Sequence, residues 1–137
     1  MIARAFPKQN PFEAWGDGTQ IRNWTFIEDT VERTILAPDE INDGTAINLG
    51  TMERIKVIDA AKMACDFIGH KAGIKLRPDM LAGPLNRVAD NSLAKKLLGW
   101  EPKVPSNDGI KRTIDRDYAT KNREEVNRTF GRKLTER

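Results

Sequence analysis

The pattern of apolar and polar positions predicts short strands and helices that alternate along the whole chain. In "FEAW" and "QIRNWTFIE", aromatic and β-branched residues alternate with polar ones on either side of "GDG", which is typical of two strands joined by a hairpin turn. Short apolar runs predict further strands in "TAINLG", "GIKLRP" and "NRVAD". We therefore expect an α+β fold with a small mixed sheet, a hairpin and about four helices.

The first two predicted helices follow from apolar residues spaced three or four positions apart. In "TVERTILA", Val31 and Ile35 share one face, Asp29 is placed to cap the first turn and Pro38 to end the helix. In "KVIDAAKMACDFIG", the apolar face includes Cys65, and a glycine follows the last turn. This pattern predicts that Cys65 is a core residue.

The other two predicted helices lie in the C-terminal third of the chain. In "NSLAKKLLGW", Leu93 and Leu97 are expected to face inward, and a glycine ends the helix before Trp100. Trp100 is expected to pack under the last helix. That helix is predicted to start near Ser106 and to carry on one face Ile110, Ile114 and Tyr118.

Length and composition predict one domain and a polar tail. A chain of 137 residues can bury roughly two-thirds of its unfolded surface, which is enough for a core. We assign residues 1–121 to the domain and the highly charged residues 122–137 to a helical or disordered tail. Neither an apolar run of the ~20 residues needed to span a bilayer nor a secretory signal is evident, which predicts a cytoplasmic location.

Charge and metal-ligating residues narrow the function classes. The net charge of +3 comes from 23 Lys and Arg against 20 Asp and Glu, and the isoelectric point is about 9.1. Basicity raises nucleic acid as a partner, but the charges are interspersed and no basic stretch alternates with aromatic residues. A single cysteine excludes an internal disulfide, and one cysteine with one histidine offers little to a zinc site. We predict no metal and consider a nucleic-acid partner unfavoured.

The sequence contains no recognisable catalytic or nucleotide-binding motif. The glycines of "WGDGTQIR" lie in a predicted turn that leads into a strand, whereas a dinucleotide-binding loop of the G-x-G-x-x-G type opens a helix. Neither a G-K-[ST] phosphate loop nor a G-x-S-x-G nucleophile turn occurs. We therefore predict no catalytic residue.

Three stretches, taken in order, resemble one known family. They are "PFEAWGDGTQIRNWTFIEDTVERTILA", "AINLG" followed by a helix, and "GPLNRVADNSLAKKLLGWEPKVPSNDGIKRTI". Together they are similar to the C-terminal, substrate-binding part of the extended short-chain dehydrogenases, the NAD-dependent nucleotide-sugar epimerases and dehydratases. The similarity covers residues 1–118, and the segments G-D-G-x-Q-x-R-x-[FW], R-x-x-D and L-G-W-x-P make it specific.

The resemblance also implies what this chain does not carry. Members of the family hold NAD and a catalytic Tyr-x-x-x-Lys pair in an N-terminal half, whereas here Tyr118 and Lys121 are one position too close. We expect a truncated, half-enzyme sequence without a complete Rossmann fold, a cofactor or activity of its own, although full-length relatives use NAD. The implied partners are a nucleotide diphosphate sugar and a complementing Rossmann half or a second copy of the chain.

The resemblance assigns diphosphate binding to arginines. In the family, the arginine of Q-x-R-x-[FW] contacts the diphosphate of the nucleotide sugar, and Arg22 occupies that position here. A guanidinium suits this role because it is always charged and presents a planar fork to phosphate oxygens. The alternative for Arg22 is an ordinary edge-strand arginine that pairs with Asp17 or Asp29.

A diphosphate carries about two charges, so a second cation is expected. Arg87 in "NRVAD" and Arg77 in "RPD" both match places where relatives bind phosphate, and the sequence leaves both open, with Arg87 preferred. Asp90 is placed either to bind a ribose hydroxyl or to cap the helix that follows it. We favour the cap.

Three functions from different classes remain open after these steps. The chain is the nucleotide-sugar-binding portion of an epimerase or dehydratase, catalytically inactive alone, or a non-enzymatic remnant or interaction module that kept the fold. The third alternative is a small basic protein that binds nucleic acid through its tail. The first rests on motifs, whereas the third rests on the isoelectric point alone.

Overall fold

The computed structural model describes residues 1–122, 124–126 and 128. Within them the chain forms helices α1 (Ile2–Ala5), α2 (Ile27–Glu40), α3 (Val57–Phe67), α4 (Ser92–Leu98) and α5 (Ser106–Thr120). The strands are β1 (Phe12–Trp15), β2 (Ile21–Arg22), β3 (Ile55–Lys56), β4 (Ile74–Arg77) and β5 (Asn86–Arg87). This mixture confirms the α+β class, and most of the predicted tail lies outside the described residues.

The strands form two small sheets. Strand β1 runs parallel to β4, with Phe12 opposite Ile74. Strand β2 lies between β3, which is antiparallel to it, and β5, which is parallel. The predicted hairpin is therefore wrong, because the strands on either side of "GDG" belong to different sheets. Alternation along a strand sets which side chains share a face, but it does not select the partner strand.

The main core lies between α1, β1, α3 and α5. Alanines dominate the inner face of α3, and they let α5 and β1 approach that helix closely. Cys65 is buried in this core, as predicted. Tyr118, by contrast, is half-exposed and stacks at a tilt on Phe6, with 4.8 Å between ring centres. The buried residues of the core are Ala5, Phe12, Ala60, Ala61, Ala64, Cys65, Ile110 and Ile114.

A smaller core holds α4 against α2. Ala94 and Leu98 are its buried helical residues, so the prediction that Leu93 and Leu97 face inward is wrong by one position. Trp100 packs in this cluster rather than under the last helix, and its Nε1 donates to the Asp29 carbonyl oxygen at 3.2 Å. The glycine before Trp100 has φ of 58°, as a helix-ending glycine requires.

Helix α2 differs from its prediction at both ends. It begins two residues before Asp29, whose buried carboxylate does not cap it but accepts the backbone amides of Lys103 and Val104 at 3.1 and 3.0 Å. Pro38 lies inside the helix instead of ending it. The helix continues past Pro38 because the Ile41 amide still donates to the Ala37 carbonyl, at 2.8 Å.

The segment "TAINLG" is not a strand. Residues 45–50 pair with no other strand in the part of the chain that the structure describes. Ile47 and Leu49 instead pack against the smaller core. The local apolar pattern favours an extended backbone, but a strand also needs a neighbour to satisfy its hydrogen bonds. Among the same described residues, no helix is both long and apolar enough to cross a membrane.

Candidate functional site

Arg22 and Arg87 lie opposite each other on neighbouring strands. The parallel register of β2 and β5 pairs them directly. Residues paired across a ladder project to the same face, and neighbouring strands are about 4.8 Å apart. The three-stranded sheet therefore carries two arginines at paired positions on one face, and their combined charge matches the roughly two negative charges of a diphosphate.

The guanidinium of Arg22 is held by backbone carbonyls rather than by a carboxylate. Its Nη1 donates to the Ile21 carbonyl at 2.7 Å and its Nη2 to the Ala82 carbonyl at 2.9 Å. A guanidinium has five N–H donors, so these two bonds leave others for a ligand. The side chain is thus oriented while its charge is not neutralised by any ion pair found among the described residues.

The acidic residues considered as partners for Arg22 are engaged elsewhere. Asp17 accepts from the Thr19 hydroxyl at 2.7 Å, from the Thr19 amide at 2.9 Å and from Gln20 Nε2 at 3.0 Å. The hydrogen bonds from Thr19 hold the pKa of Asp17 below its usual value. Asp29 accepts the two loop amides described above. The alternative in which Arg22 forms an edge-strand ion pair with Asp17 or Asp29 is not found among the described residues.

Arg77 lies in the two-stranded sheet of β1 and β4, and its guanidinium is hydrogen-bonded to carboxylates. Its Nε and Nη2 donate to Asp79 at 3.0 and 2.7 Å, and its Nη1 donates to Glu13 at 3.1 Å. These hydrogen bonds, first to Asp79 and then to Glu13, raise the pKa of Arg77 above its ordinary value. Because both sides of its planar fork are in use, Arg77 is a weaker candidate for phosphate binding than the exposed Arg87.

Asp90 stabilises the start of α4. Its carboxylate accepts the backbone amide of Ser92, the first residue of the helix, at 2.9 Å. Hydrogen bonds from Ser92, first from its side chain and then from its backbone amide, hold the pKa of Asp90 below its usual value. This agrees with the favoured interpretation as a helix cap, although Asn91 occupies the formal N-cap position.

The residues that would resemble catalytic or cofactor groups serve the fold. Tyr118 donates its hydroxyl to the Phe6 carbonyl at 3.4 Å, and Lys121 donates to Asp117 at 2.7 Å. Gly16 has φ of 81°, and an added Cβ would come within 2.7 Å of the Ala82 Cβ, so both backbone and packing favour glycine at this turn. In the described chain this turn leads into strand β2, whereas a dinucleotide-binding loop opens a helix.

Sequence reasoning missed the loop that fastens Arg22. Residues 78–85 join β4 to β5 and bring the Ala82 carbonyl to the guanidinium. The dipeptide of Gly83 and Pro84 marks a turn in the sequence, but it does not say which side chain the preceding carbonyl meets.

Comparisons with known proteins place these features in a family. The family model for GDP-mannose 4,6 dehydratase matches residues 1–113. UDP-glucuronic acid decarboxylase 2 of Arabidopsis thaliana is 35% identical over 109 residues, which are 80% of this chain and 24% of that protein. The chain thus spans about a quarter of the length of this curated relative.

Solved structures of nucleotide-sugar epimerases also match the fold of this chain. UDP-glucose 4-epimerase from Thermotoga maritima, solved with UDP-glucose, matches with a TM-score of 0.80 and 26% identity over 87% of this chain and 38% of that one. UDP-glucuronic acid 4-epimerase from Bacillus cereus, in complex with UDP-glucuronic acid and NAD, matches with a TM-score of 0.72 and 30% identity over 83% of this chain and 37% of that one.

Proposed function

The chain belongs to the GDP-mannose 4,6 dehydratase family of NAD-dependent nucleotide-sugar epimerases and dehydratases, and we propose that it binds the diphosphate of a nucleotide sugar. The observation that carries this proposal is the register pairing of Arg22 with Arg87 on one sheet face. The orientation of Arg22 by two carbonyls adds support, because a guanidinium held in place loses less freedom when a ligand binds.

We further propose that the chain alone is catalytically inactive. The described residues offer neither a dinucleotide loop nor a free Tyr and Lys pair, and the structural relatives with NAD are much longer. A complementing chain with a dinucleotide-binding domain would supply NAD and the reacting groups, and a cytoplasmic location suits such a pair. The diphosphate arginines would then hold the substrate while the partner performs the chemistry.

The binding proposal predicts weak but specific affinity for nucleoside diphosphates. An open, solvated site screens each ion pair, so we expect dissociation constants of about 1 mM, equivalent to about −4 kcal/mol. Titration of UDP, GDP and dTDP, followed by backbone NMR, should shift residues 18–26 and 84–90, whereas UMP should bind more weakly. Arg22→Ala and Arg87→Ala should each weaken binding several-fold, and added salt should weaken it further.

The control for this titration is Arg112→Ala. Arg112 is an exposed arginine on α5 that stacks on Phe26, so its loss removes the same charge from another surface. Diphosphate affinity that falls equally in Arg112→Ala would contradict the assignment to Arg22 and Arg87. Shifts that gather after residue 122 and respond equally to any polyanion would instead favour a nucleic-acid function.

The proposal of inactivity is tested with the cofactor. We expect calorimetry to detect no tight stoichiometric binding of NAD, because the "GDG" turn leads into strand β2, whereas a dinucleotide loop opens a helix. We also expect no turnover of UDP-glucose or UDP-glucuronic acid by the chain alone, with or without NAD. Stoichiometric NAD binding with a micromolar or lower dissociation constant would overturn the proposal.

An interaction module is the second candidate, and one observation favours it. Helix α2 exposes the apolar side chains of Ile27, Val31 and Ile35, which are spaced four residues apart and so share one face. An exposed apolar stripe of this kind is typical of a surface that packs against another protein. This function would use α2 and leave Arg22 unused, so the diphosphate titration separates the two candidates.

A further inference from the structure

The loop between β4 and β5 is fastened at two points beside the arginine pair. The Ala82 carbonyl accepts Nη2 of Arg22 at 2.9 Å, and the Leu85 carbonyl accepts the Ile21 amide at 2.7 Å. Ala82 is also confined on its other side, because a Cβ on Gly16 would come within 2.7 Å of its methyl group. The loop therefore packs between the "GDG" turn and the guanidinium.

Between these two points, Gly83 controls the direction of the Ala82 carbonyl. Gly83 has φ of 70°, in the left-handed region that side chains disfavour. Rotation about its N–Cα bond reorients the preceding peptide plane, which contains the Ala82 carbonyl. Pro84 has a fixed φ and Leu85 is tied to β2, so the turn has little other freedom with which to compensate.

We propose that Gly83 is a positioning residue for diphosphate binding: its left-handed backbone aims the Ala82 carbonyl at Arg22 and thereby holds the guanidinium in its binding orientation. The proposal rests on the proposed function for its ligand, but it assigns a role to a residue that touches no ligand itself. An arginine fastened before binding keeps its affinity, whereas a free one must lose side-chain freedom on binding.

Gly83→Ala tests the proposal without changing a charge. The site for an added Cβ is open, with Arg22 Nη2 at 3.5 Å as its nearest contact, so the substitution acts mainly by disfavouring the left-handed backbone. We expect Gly83→Ala to weaken UDP binding by about tenfold. Gly83→Asn should restore most of the affinity, because asparagine tolerates this region better than alanine.

The matched control is Gly44→Ala. Gly44 also has positive φ, 81°, and a Cβ there would meet no atom within 4 Å. Both alanine variants place a side chain in the left-handed region, with the further restriction of a following proline at residue 83, but only one lies beside Arg22. Gly44→Ala should leave UDP affinity unchanged, and an equal loss in both variants would overturn the proposal by showing a general effect of strain.

A spectroscopic signature separates positioning from stability. In the ligand-free protein, ¹⁵N NMR of the Arg22 guanidinium should show slow rotation in the wild type and in Gly83→Asn, and fast rotation in Gly83→Ala. An Arg22 signal that is identical in wild type and Gly83→Ala overturns the positioning role, even if UDP binds. A changed signal in a protein that binds no UDP supports the fastening of Arg22 but contradicts the proposed function.

Discussion

At the scale of single residues, Asp117 is a buried carboxylate held by two cations. Asp117 is 3% exposed, and its two carboxylate oxygens accept hydrogen bonds from Arg116 Nη2 and Lys121 Nζ, each at 2.7 Å. Burial by itself raises the pKa of Asp117, but the hydrogen bonds from Lys121 and Arg116 outweigh it, and the pKa lies below its ordinary value. Asp117 therefore favours the folded state when it is ionised.

This lowered pKa predicts a pH-dependent effect of Asp117→Asn. The stabilisation by the carboxylate is present above the unfolded pKa, about 3.9, and is lost as pH falls through the lower folded pKa. We expect the variant to lose about 1–3 kcal/mol of unfolding free energy at neutral pH, and the difference from wild type to shrink below pH ~4. Urea denaturation across this pH range measures both.

The control for Asp117 is Asp115→Asn, which changes an exposed carboxylate on the same helix. It should change the free energy of unfolding by less than about 0.5 kcal/mol. A loss in Asp117→Asn that stays equally large in acid would show that the amide disturbs packing, and would contradict the electrostatic account.

The same scale shows what the sequence reveals about the site. Arg22 stands out in the sequence because its position in the Q-x-R-x-[FW] segment is distinctive, and its role in diphosphate binding stays a prediction; the structure finds it in no ion pair within the described chain. The preference for Arg87 over Arg77 depends on which strand pairs with β2. That pairing joins residues distant in the sequence, so local patterns do not reveal it. The contribution of Ala82 was not predictable, because any residue could supply a backbone carbonyl.

At the scale of elements, local sequence signals predicted the positions of most helices and strands, but they did not predict which strands pair. Helices α3 and α5 and strands β4 and β5 lie where apolar spacing, glycine stops and Pro78 placed them. The hairpin and the strand at residues 45–50 were wrong because each requires a particular neighbour, which alternation does not specify. Helix α2 passes Pro38 because packing and its later hydrogen bonds outweigh the local preference.

The buried contacts of α2 explain why this helix is fixed on one side only. Asp29 ties its first turn to residues 103–104, and Arg33 forms an ion pair with Glu40 at 2.8 Å and also donates to the Leu98 carbonyl. These bonds orient the helix on the smaller core. The opposite face carries the apolar stripe of Ile27, Val31 and Ile35, with exposures of 60%, 45% and 69%.

At the scale of the whole molecule, this stripe predicts weak self-association. In a purified sample the only partner available to α2 is another copy, and a two-fold contact would place one stripe against the other. Three aliphatic side chains bury far less than the 1,200 Å² or so of a stable interface. We therefore expect dimers with a dissociation constant between about 0.1 and 1 mM.

Sedimentation of the wild type over a range of concentrations should then show a mean mass that rises with concentration. Ile35→Lys should shift the protein toward monomer, because it places a charge within the buried contact. Thr120→Lys is the matched control: Thr120 is exposed at the end of α5, so it adds the same charge away from α2. It should leave association unchanged. A protein that stays monomeric at the highest soluble concentration would contradict the prediction of self-association. Equal association in both lysine variants would show that the contact lies on another face.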